Sequence, residues 1–261
     1  MDPLEQGAPT RWQGVAAGVP YVALPPYEER ASAPVILAWH STEPPRSEAA
    51  MAAALPMAAL PAWRVYLGVP LHHRPDRRDL LQVFGHAVVQ ATEQVPVALR
   101  ALGERLPLGD GSLGLLGGSI GATIAQLAVT ETDLDIAALA LVSPVIQLRS
   151  LVEVPGAAEE SRSIADRLDF LARIDAMIER RPPPSVLVVV GSDDDRRFVD
   201  PALRLWGALS TRGCAERTSL VTVPGMGHAF GHETSDHAAH VDKVLTDWFH
   251  RHLPLQDPAP S

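Results

Sequence analysis

The chain contains very little cysteine and very little lysine. Its single cysteine, Cys214, excludes an intramolecular disulfide framework. Lys243 is the only lysine among 22 cationic side chains, and the formal net charge is −9 at neutral pH. An acidic chain of this kind is a poor ligand for polyanions, so we expect neither nucleic acid nor an anionic membrane surface as a partner.

Long apolar runs are also absent. No uninterrupted run reaches the roughly 18 residues that a membrane-spanning helix needs. The first residues, Met1-Asp2-Pro3-Leu4-Glu5, lack the basic region and apolar core of a signal peptide. With 46% hydrophobic and 20% charged residues, the composition predicts one globular, cytoplasmic domain.

Short apolar runs alternate with helical patterns along the chain, which predicts a mostly parallel sheet with helices on both faces. A hairpin around Gly18 and Pro20 is expected to open the fold. The predicted strands that follow are Pro34–Trp39, Trp63–Val69, Leu113–Leu116, Ile136–Val145, Ser185–Val190 and Leu220–Val223. The predicted helices include Arg78–Leu106, bent or split by Pro96, and then Glu159–Arg180 and Pro201–Gly213.

One glycine-rich stretch, Gly117-Gly118-Ser119-Ile120-Gly121, lies between a predicted strand and a predicted helix. Gly-x-Ser-x-Gly in this setting is typical of a nucleophile elbow, where a sharp turn lifts the serine hydroxyl above the sheet edge. Small flanking residues allow neighbouring backbone to approach the turn. A similar stretch, Gly111-Ser112-Leu113-Gly114, precedes the same strand and has Asp110 in place of the first glycine.

Four polar segments are predicted at the carboxyl ends of strands, the edge where sites collect in parallel sheets. They are His40-Ser41-Thr42, Ser119, Asp193-Asp194-Asp195 and His228. A serine hydroxyl needs a base to become a nucleophile, and histidine has the suitable ordinary pKa. The segments therefore predict a Ser-His-Asp arrangement.

This order of serine, aspartate and histidine resembles the α/β-hydrolase superfamily over about residues 12–253. The resemblance implies a three-layer α/β/α sandwich around an eight-stranded, mostly parallel sheet. It also implies Ser119 as nucleophile, His228 as base and Asp194 as the acid, because Gly191-Ser192-Asp193-Asp194 matches the family's Gly-x-x-Asp. The neighbouring Asp193 and Asp195 are alternatives for the acid.

The same resemblance implies an oxyanion hole built from two backbone N–H groups. The N–H of Ile120, directly after the nucleophile, would supply one donor. The N–H of Thr42 would supply the other, with that of Ser41 as second choice. Serine stands at position 41 where the family commonly has glycine, and His40 is expected to brace this loop.

The resemblance covers a single domain, and residues 146–183 interrupt its alternation of strands and helices. We interpret this insertion as a small helical lid whose apolar stripe faces the cleft or the core. Residues 254–261 are expected to form a disordered tail because they are proline-rich.

A metal site is a weaker interpretation of the histidine-rich segment near the C-terminus. The spacing of His228, His232, His237 and His240 fits no zinc template, and no cysteine joins them. We therefore expect no metal and no cofactor. His72 and His73 follow a strand and either line the cleft or form a solvated turn.

The expected activity is acyl transfer to water from a small-molecule ester, as in a carboxylesterase. A peptidase or amidase, a thioesterase, and a catalytically silent binding protein of the same fold are the alternatives. The sequence leaves the choice between monomer and homodimer open.

Overall fold

The computed structural model describes residues 11–28, 33–71, 80–151, 159–231 and 236–254. Within them, eight strands form one sheet in the order β1-β2-β4-β3-β5-β6-β7-β8. The strands are β1 Trp12–Ala16, β2 Val19–Leu24, β3 Val35–Trp39, β4 Trp63–Leu67, β5 Leu113–Gly118, β6 Ile136–Val142, β7 Ser185–Gly191 and β8 Thr218–Val223.

The predicted opening hairpin is confirmed, since β1 pairs antiparallel with β2, and β2 pairs antiparallel with β4. Every other pairing in the sheet is parallel. All residues of β3, β4, β5 and β7 are buried, as expected of strands covered on both faces. The mostly parallel α/β sheet predicted from the sequence is therefore correct.

Helices cover both faces of the sheet and form two separate hydrophobic clusters with it. The cluster on one face contains residues of α2, α3, α5 and α6, and the cluster on the other face contains residues of α1 and α7. The helices are α1 Glu48–Ala54, α2 Leu80–Gly103, α3 Ile120–Glu131, α4 Glu159–Arg167, α5 Ile174–Ile178, α6 Arg196–Leu209 and α7 Asp236–His252.

Pro96 lies inside α2 and does not split it, since the helix continues from Leu80 to Gly103. Packing of α2 against α3 and α4 offsets the hydrogen bond that a proline removes. The predicted start of this helix, Arg78, lies outside the described residues. None of the described helices is both long and apolar enough to span a membrane.

The prediction of one helix over Glu159–Arg180 is wrong, because α4 and α5 are separate. Between them, the buried Asp169 accepts hydrogen bonds from Ala172 N at 3.1 Å and from Gln147 Nε2 at 2.9 Å. An aspartate that captures a nearby backbone N–H favours a turn over a continuing helix. The apolar residues Leu168 and Ile174 enter the main core, and the role of this insertion as a lid stays a prediction.

The prediction for the next helix is also wrong at both ends, since α6 begins at Arg196 and not at Pro201. The carboxylate of Asp195 accepts from Arg197 N at 2.8 Å and caps the helix earlier than the sequence suggested. Beyond Leu209 the chain continues in a π-helical turn, so Gly213 does not end the helix. Of the predicted tail at residues 254–261, all but Pro254 lies outside the described part of the chain, so the prediction stays untested.

Candidate active site

The turn between β5 and α3 places Ser119 at the carboxyl edge of the sheet. Its backbone angles are φ 50° and ψ −111°, a conformation that L-residues rarely adopt. Backbone hydrogen bonds hold it in place, with Ser119 N donating to Val142 O at 2.9 Å and Val145 N donating to Ser119 O at 3.4 Å. Ser119 is 4% exposed. The neighbouring strand β6 thus maintains the strained turn.

The glycines of the motif are explained by close backbone contacts. A Cβ at Gly117 would lie 2.2 Å from the carbonyl oxygen of Gly121. A Cβ at Gly121 would lie 2.2 Å from the carbonyl oxygen of Trp39, at the end of β3. No side chain fits at either distance, so the turn requires glycine at both positions.

The structure brings the three predicted side chains together. Ser119 Oγ lies 2.8 Å from His228 Nε2. His228 Nδ1 lies 3.0 Å from Asp194 Oδ2 and 3.2 Å from Asp194 Oδ1. Because a carboxylate only accepts hydrogen bonds, Nδ1 carries the proton and Nε2 is left to accept from the serine hydroxyl.

The three adjacent aspartates have different environments. The Asp194 side chain is 1% exposed and faces His228, and its Oδ1 also accepts from Asp195 N at 2.7 Å. Asp193 instead accepts from Ser192 Oγ at 2.7 Å. Asp195 caps α6 and pairs with Arg197 at 2.7 Å, and that hydrogen bonding lowers the pKa of Asp195 to about 2. Of the three, only Asp194 contacts the histidine.

Backbone contacts join the loop of Asp194 to the loop of His228. Asp193 N donates to Met226 O at 3.0 Å, and Gly225 N donates to Ser192 Oγ at 2.8 Å. A Cβ at Gly191 would lie 1.9 Å from the carbonyl oxygen of Met226. A backbone hydrogen bond and the Ser192 side chain therefore hold together the two loops that carry Asp194 and His228.

On the other side of Ser119, the loop after β3 carries the predicted oxyanion donors. Ser41 N donates to Pro45 O at 3.2 Å, and Ser41 Oγ accepts from Glu43 N at 3.0 Å. The Ser41 N–H is thus already satisfied, which favours Thr42 over Ser41 as the donor. Ile120 is the first residue of α3, where the N–H has no partner within the helix.

His40 connects this loop to the end of β4. Its Nε2 accepts from Val69 N at 3.1 Å, so Nδ1 carries the proton and donates to Ser41 O at 2.8 Å. Burial lowers the pKa of His40, because the charged form would be desolvated. A neutral His40 thus links the ends of β3 and β4.

The sequence analysis missed Phe198. Its ring stacks on the His228 imidazole with centroids 3.7 Å apart and an interplanar angle of 27°. Placing the start of α6 at Pro201 concealed this contact. An aromatic residue in the first helical turn after Asp194 is the signal that could have revealed it.

In the histidine-rich segment considered for a metal, the ring of His228 is already engaged in hydrogen bonds. Both ring nitrogens of His228 are hydrogen-bonded to Ser119 and Asp194. The structure groups no three potential metal ligands anywhere in its described ranges. His72, His73 and His232 lie outside those ranges.

The sheet order, the strained elbow serine and the loops at the strand ends define a protein of the α/β-hydrolase superfamily. Within that class, the model of the prolyl oligopeptidase family matches residues 88–256, which is more than half of the chain. The chain belongs to this family, a serine hydrolase family of the α/β fold. A comparison with curated protein sequences gave no match.

Solved structures agree on the fold. TT1662 from Thermus thermophilus is 18% identical with a TM-score of 0.69, and the match covers 92% of this chain and 97% of that one. The esterase domain of a Rhodothermus marinus protein is 15% identical with a TM-score of 0.61, over 93% of this chain and 98% of that one. The acylaminoacyl peptidase of Pyrococcus horikoshii is 15% identical with a TM-score of 0.63, over 97% of this chain but only 43% of that chain.

Proposed function

We propose that this protein is a carboxylesterase that works through an acyl-enzyme on Ser119. The observation that carries the proposal is the continuous hydrogen-bond chain from Ser119 Oγ through the His228 ring to Asp194, with distances of 2.8 and 3.0 Å. Those separations suit direct proton transfer between the hydroxyl and the imidazole. No cofactor is needed for this chemistry.

In the proposed first half-reaction, Ser119 Oγ attacks the ester carbonyl while its proton moves to His228 Nε2. Asp194 holds the ring in the tautomer that accepts this proton and then stabilises the imidazolium. The N–H groups of Ile120 and Thr42 would bind the oxyanion of the tetrahedral intermediate. The imidazolium next protonates the departing alkoxide, which leaves the acyl group on Ser119.

In the second half-reaction, a water molecule replaces the alcohol. His228 Nε2 takes a proton from the water as the water oxygen attacks the acyl carbon. Collapse of the second tetrahedral intermediate returns that proton to Ser119 Oγ and releases the carboxylic acid. The triad is then in its starting state.

The likeness to the Rhodothermus marinus esterase domain supports an ester substrate, since the match covers nearly the whole of both chains. A peptidase is the second candidate. It is favoured by the match to the prolyl oligopeptidase family and by the likeness to an acylaminoacyl peptidase. Both candidates use the same triad and differ in the leaving group.

A matched pair of substrates separates the two candidates. The kcat/KM values would be measured for an N-acetyl-alanine p-nitrophenyl ester and the corresponding p-nitroanilide, beside p-nitrophenyl esters of increasing acyl length. We expect turnover of the esters. The kcat/KM for the p-nitroanilide should be lower than that for the matching ester by at least about 1000-fold. An anilide value within about tenfold of the ester would replace the esterase by the peptidase.

Absence of turnover on every substrate would still leave a catalytically silent scaffold to consider. The discriminating measurement is covalent labelling of Ser119 by a fluorophosphonate. If Ser119 is labelled but no substrate is turned over, Ser119 is a working nucleophile and the true substrate is not among those tested. If Ser119 is not labelled, a binding function is favoured.

A further inference from the structure

The hydrogen bonds of His228 do little to prevent its imidazole ring from tilting out of its plane. Its two ring nitrogens are bonded to Ser119 and Asp194, and hydrogen bonds at imidazole nitrogens are strongest near the plane of the ring. Nδ1 is almost equally far from the two carboxylate oxygens, at 3.0 and 3.2 Å. A proton shared between two acceptors tolerates tilting of the ring, and the final torsion of a histidine side chain has broad energy wells. The hydrogen bonds alone therefore restrain the ring weakly against rotation out of its plane.

Phe198 contacts the face of the His228 imidazole, perpendicular to the ring plane. Its ring is stacked on one face of the imidazole at a centroid distance of 3.7 Å, so the two rings are in van der Waals contact. Rotating the imidazole out of plane would drive its edge into the phenyl ring. The phenyl face also attracts a cation, so the contact remains favourable when His228 becomes an imidazolium.

The position of Phe198 is itself fixed by the loop that carries the catalytic acid. Phe198 N donates to Asp195 O at 2.9 Å in the first turn of α6. That turn is capped by the Asp195 carboxylate, which accepts from Arg197 N at 2.8 Å. Phe198 is also partly buried and packs against the hydrophobic cluster that contains α3 and α6. One short segment thus presents Asp194 to the edge of the imidazole and Phe198 to its face.

We propose that Phe198 is a positioning residue, whose ring fixes the plane of the His228 imidazole so that Nε2 stays directed at Ser119 Oγ throughout the reaction. This inference rests on the proposed function and adds a residue to it. A phenylalanine that only filled space in the core would be replaceable by an aliphatic side chain of similar volume. A residue that restrains and stabilises the imidazole through an aromatic face would not.

The test compares Phe198→Leu, which keeps apolar volume and removes the aromatic face, with Phe198→Tyr, which keeps the face. Leu203→Ala, at a partly exposed position further along α6, is the control for general damage to the helix. Steady-state kinetics on the best p-nitrophenyl ester would be measured after thermal melts have established that each variant is folded. Phe198→Met provides a second aliphatic variant should the leucine variant not fold.

We expect Phe198→Leu to lower kcat about 3- to 30-fold with KM changed less than about twofold. Phe198→Tyr should restore kcat to within about threefold of the wild type, and Leu203→Ala should match the wild type. A wild-type kcat in the aliphatic variants would overturn the proposal. So would an effect on KM alone, which would make Phe198 a substrate contact, or equal losses in the leucine and tyrosine variants.

A double-mutant cycle with Asp194→Asn tests whether Phe198 acts through His228. Because both side chains position the same ring, their effects on kcat should be less than additive. Additive losses would indicate separate damage and contradict the proposal.

Failure of this inference can be told apart from failure of the proposed function. If a fluorophosphonate labels Ser119 in the wild type and labels Phe198→Leu at the same rate, only the role of Phe198 is wrong. If the wild type is not labelled at Ser119, the proposed function is wrong.

Discussion

Strand β5 carries a serine at each end, and the two serines have very different surroundings. Ser112 precedes the strand, and its Oγ donates to Asp135 Oδ2 at 2.5 Å. Ser119 follows the strand, and its Oγ lies 2.8 Å from His228 Nε2. Both belong to glycine-containing stretches that look alike in the sequence. A hydrogen-bonded serine beside glycine is therefore not in itself a nucleophile.

The difference follows from the direction of the strands. Ser119 lies at the carboxyl edge of the parallel sheet, where loops after β3, β7 and β8 converge on it. Ser112 lies at the opposite edge of the sheet. Its partner is the carboxylate of Asp135, which directly precedes β6. A carboxylate has too low an ordinary pKa to hold a serine proton at neutral pH, whereas an imidazole can.

The largest expected effect on kcat comes from removing each of the two serine hydroxyls in turn. Ser119→Ala should lower kcat on a p-nitrophenyl ester by about 10⁴- to 10⁶-fold, because the attacking atom is lost. Ser112→Ala should retain wild-type kinetics. Substantial turnover by Ser119→Ala, or a large loss of kcat in Ser112→Ala, would contradict the different roles assigned to the two serines.

The next effect concerns the three aspartates, of which the resemblance selects Asp194 and the structure places only Asp194 against His228. Asp194→Asn should lower kcat about 10³- to 10⁴-fold, because the amide favours the wrong tautomer of His228. Asp193→Asn and Asp195→Asn should keep kcat within about tenfold, the latter because asparagine also caps helices well. Parallel kinetics on the three variants make the comparison, and a milder effect at Asp194 than at its neighbours would refute the assignment.

Glycines beside the two serines offer a matched test of stability. A Cβ at Gly121 would lie 2.2 Å from Trp39 O, whereas a Cβ at Gly111 has no atom within 4 Å. Gly121→Ala should reduce the free energy of unfolding by about 2–4 kcal/mol, and Gly111→Ala should change it by less than about 1 kcal/mol. Urea denaturation measures both, and equal effects would contradict the described packing of the elbow.

A smaller effect should appear in the pH dependence of stability, through His40 beside the oxyanion loop. Burial lowers the pKa of His40, so the unfolded chain binds more protons than the folded chain below about pH 6.5. Stability is then independent of this group above that pH and falls as the pH decreases through the window down to the folded value. The loss is limited to about 1.4 kcal/mol per pH unit.

Chemical denaturation between pH 5 and 8 would measure this slope. His40→Gln should flatten this slope, because it removes the buried imidazole. A slope that persists in His40→Gln would assign the pH dependence to other groups.

Much of the architecture was predictable because parallel strands and elbow motifs have strong local patterns. The apolar runs Pro34–Trp39 and Ser185–Val190 predict buried strands, and the elbow motif selects Ser119. Local patterns alone could not predict that α6 begins at Arg196, because the capping role of Asp195 competes with a catalytic interpretation of the same residue. Nor could they reveal the break at Asp169, which depends on Gln147 from a distant segment.

The contacts around His228 were the least predictable part of the site. The resemblance selects Asp194 and leaves Asp193 and Asp195 as alternatives, because the direction in which each carboxylate points depends on the tertiary structure. The stacking of Phe198 depends on where α6 begins. Both features require the tertiary arrangement of the loops after β7 and β8.

The most direct test of the central claim is to locate the covalent adduct formed by a fluorophosphonate. Trypsin leaves Ser112, Ser119 and Ser143 on one peptide, since no lysine or arginine lies between Leu106 and Gln147, so fragmentation of that peptide by tandem mass spectrometry is needed. We predict a single adduct on Ser119 that is lost in His228→Ala. An adduct on Ser112 or Ser143, or a folded wild-type protein that forms none, would contradict the assignment of Ser119 as the nucleophile.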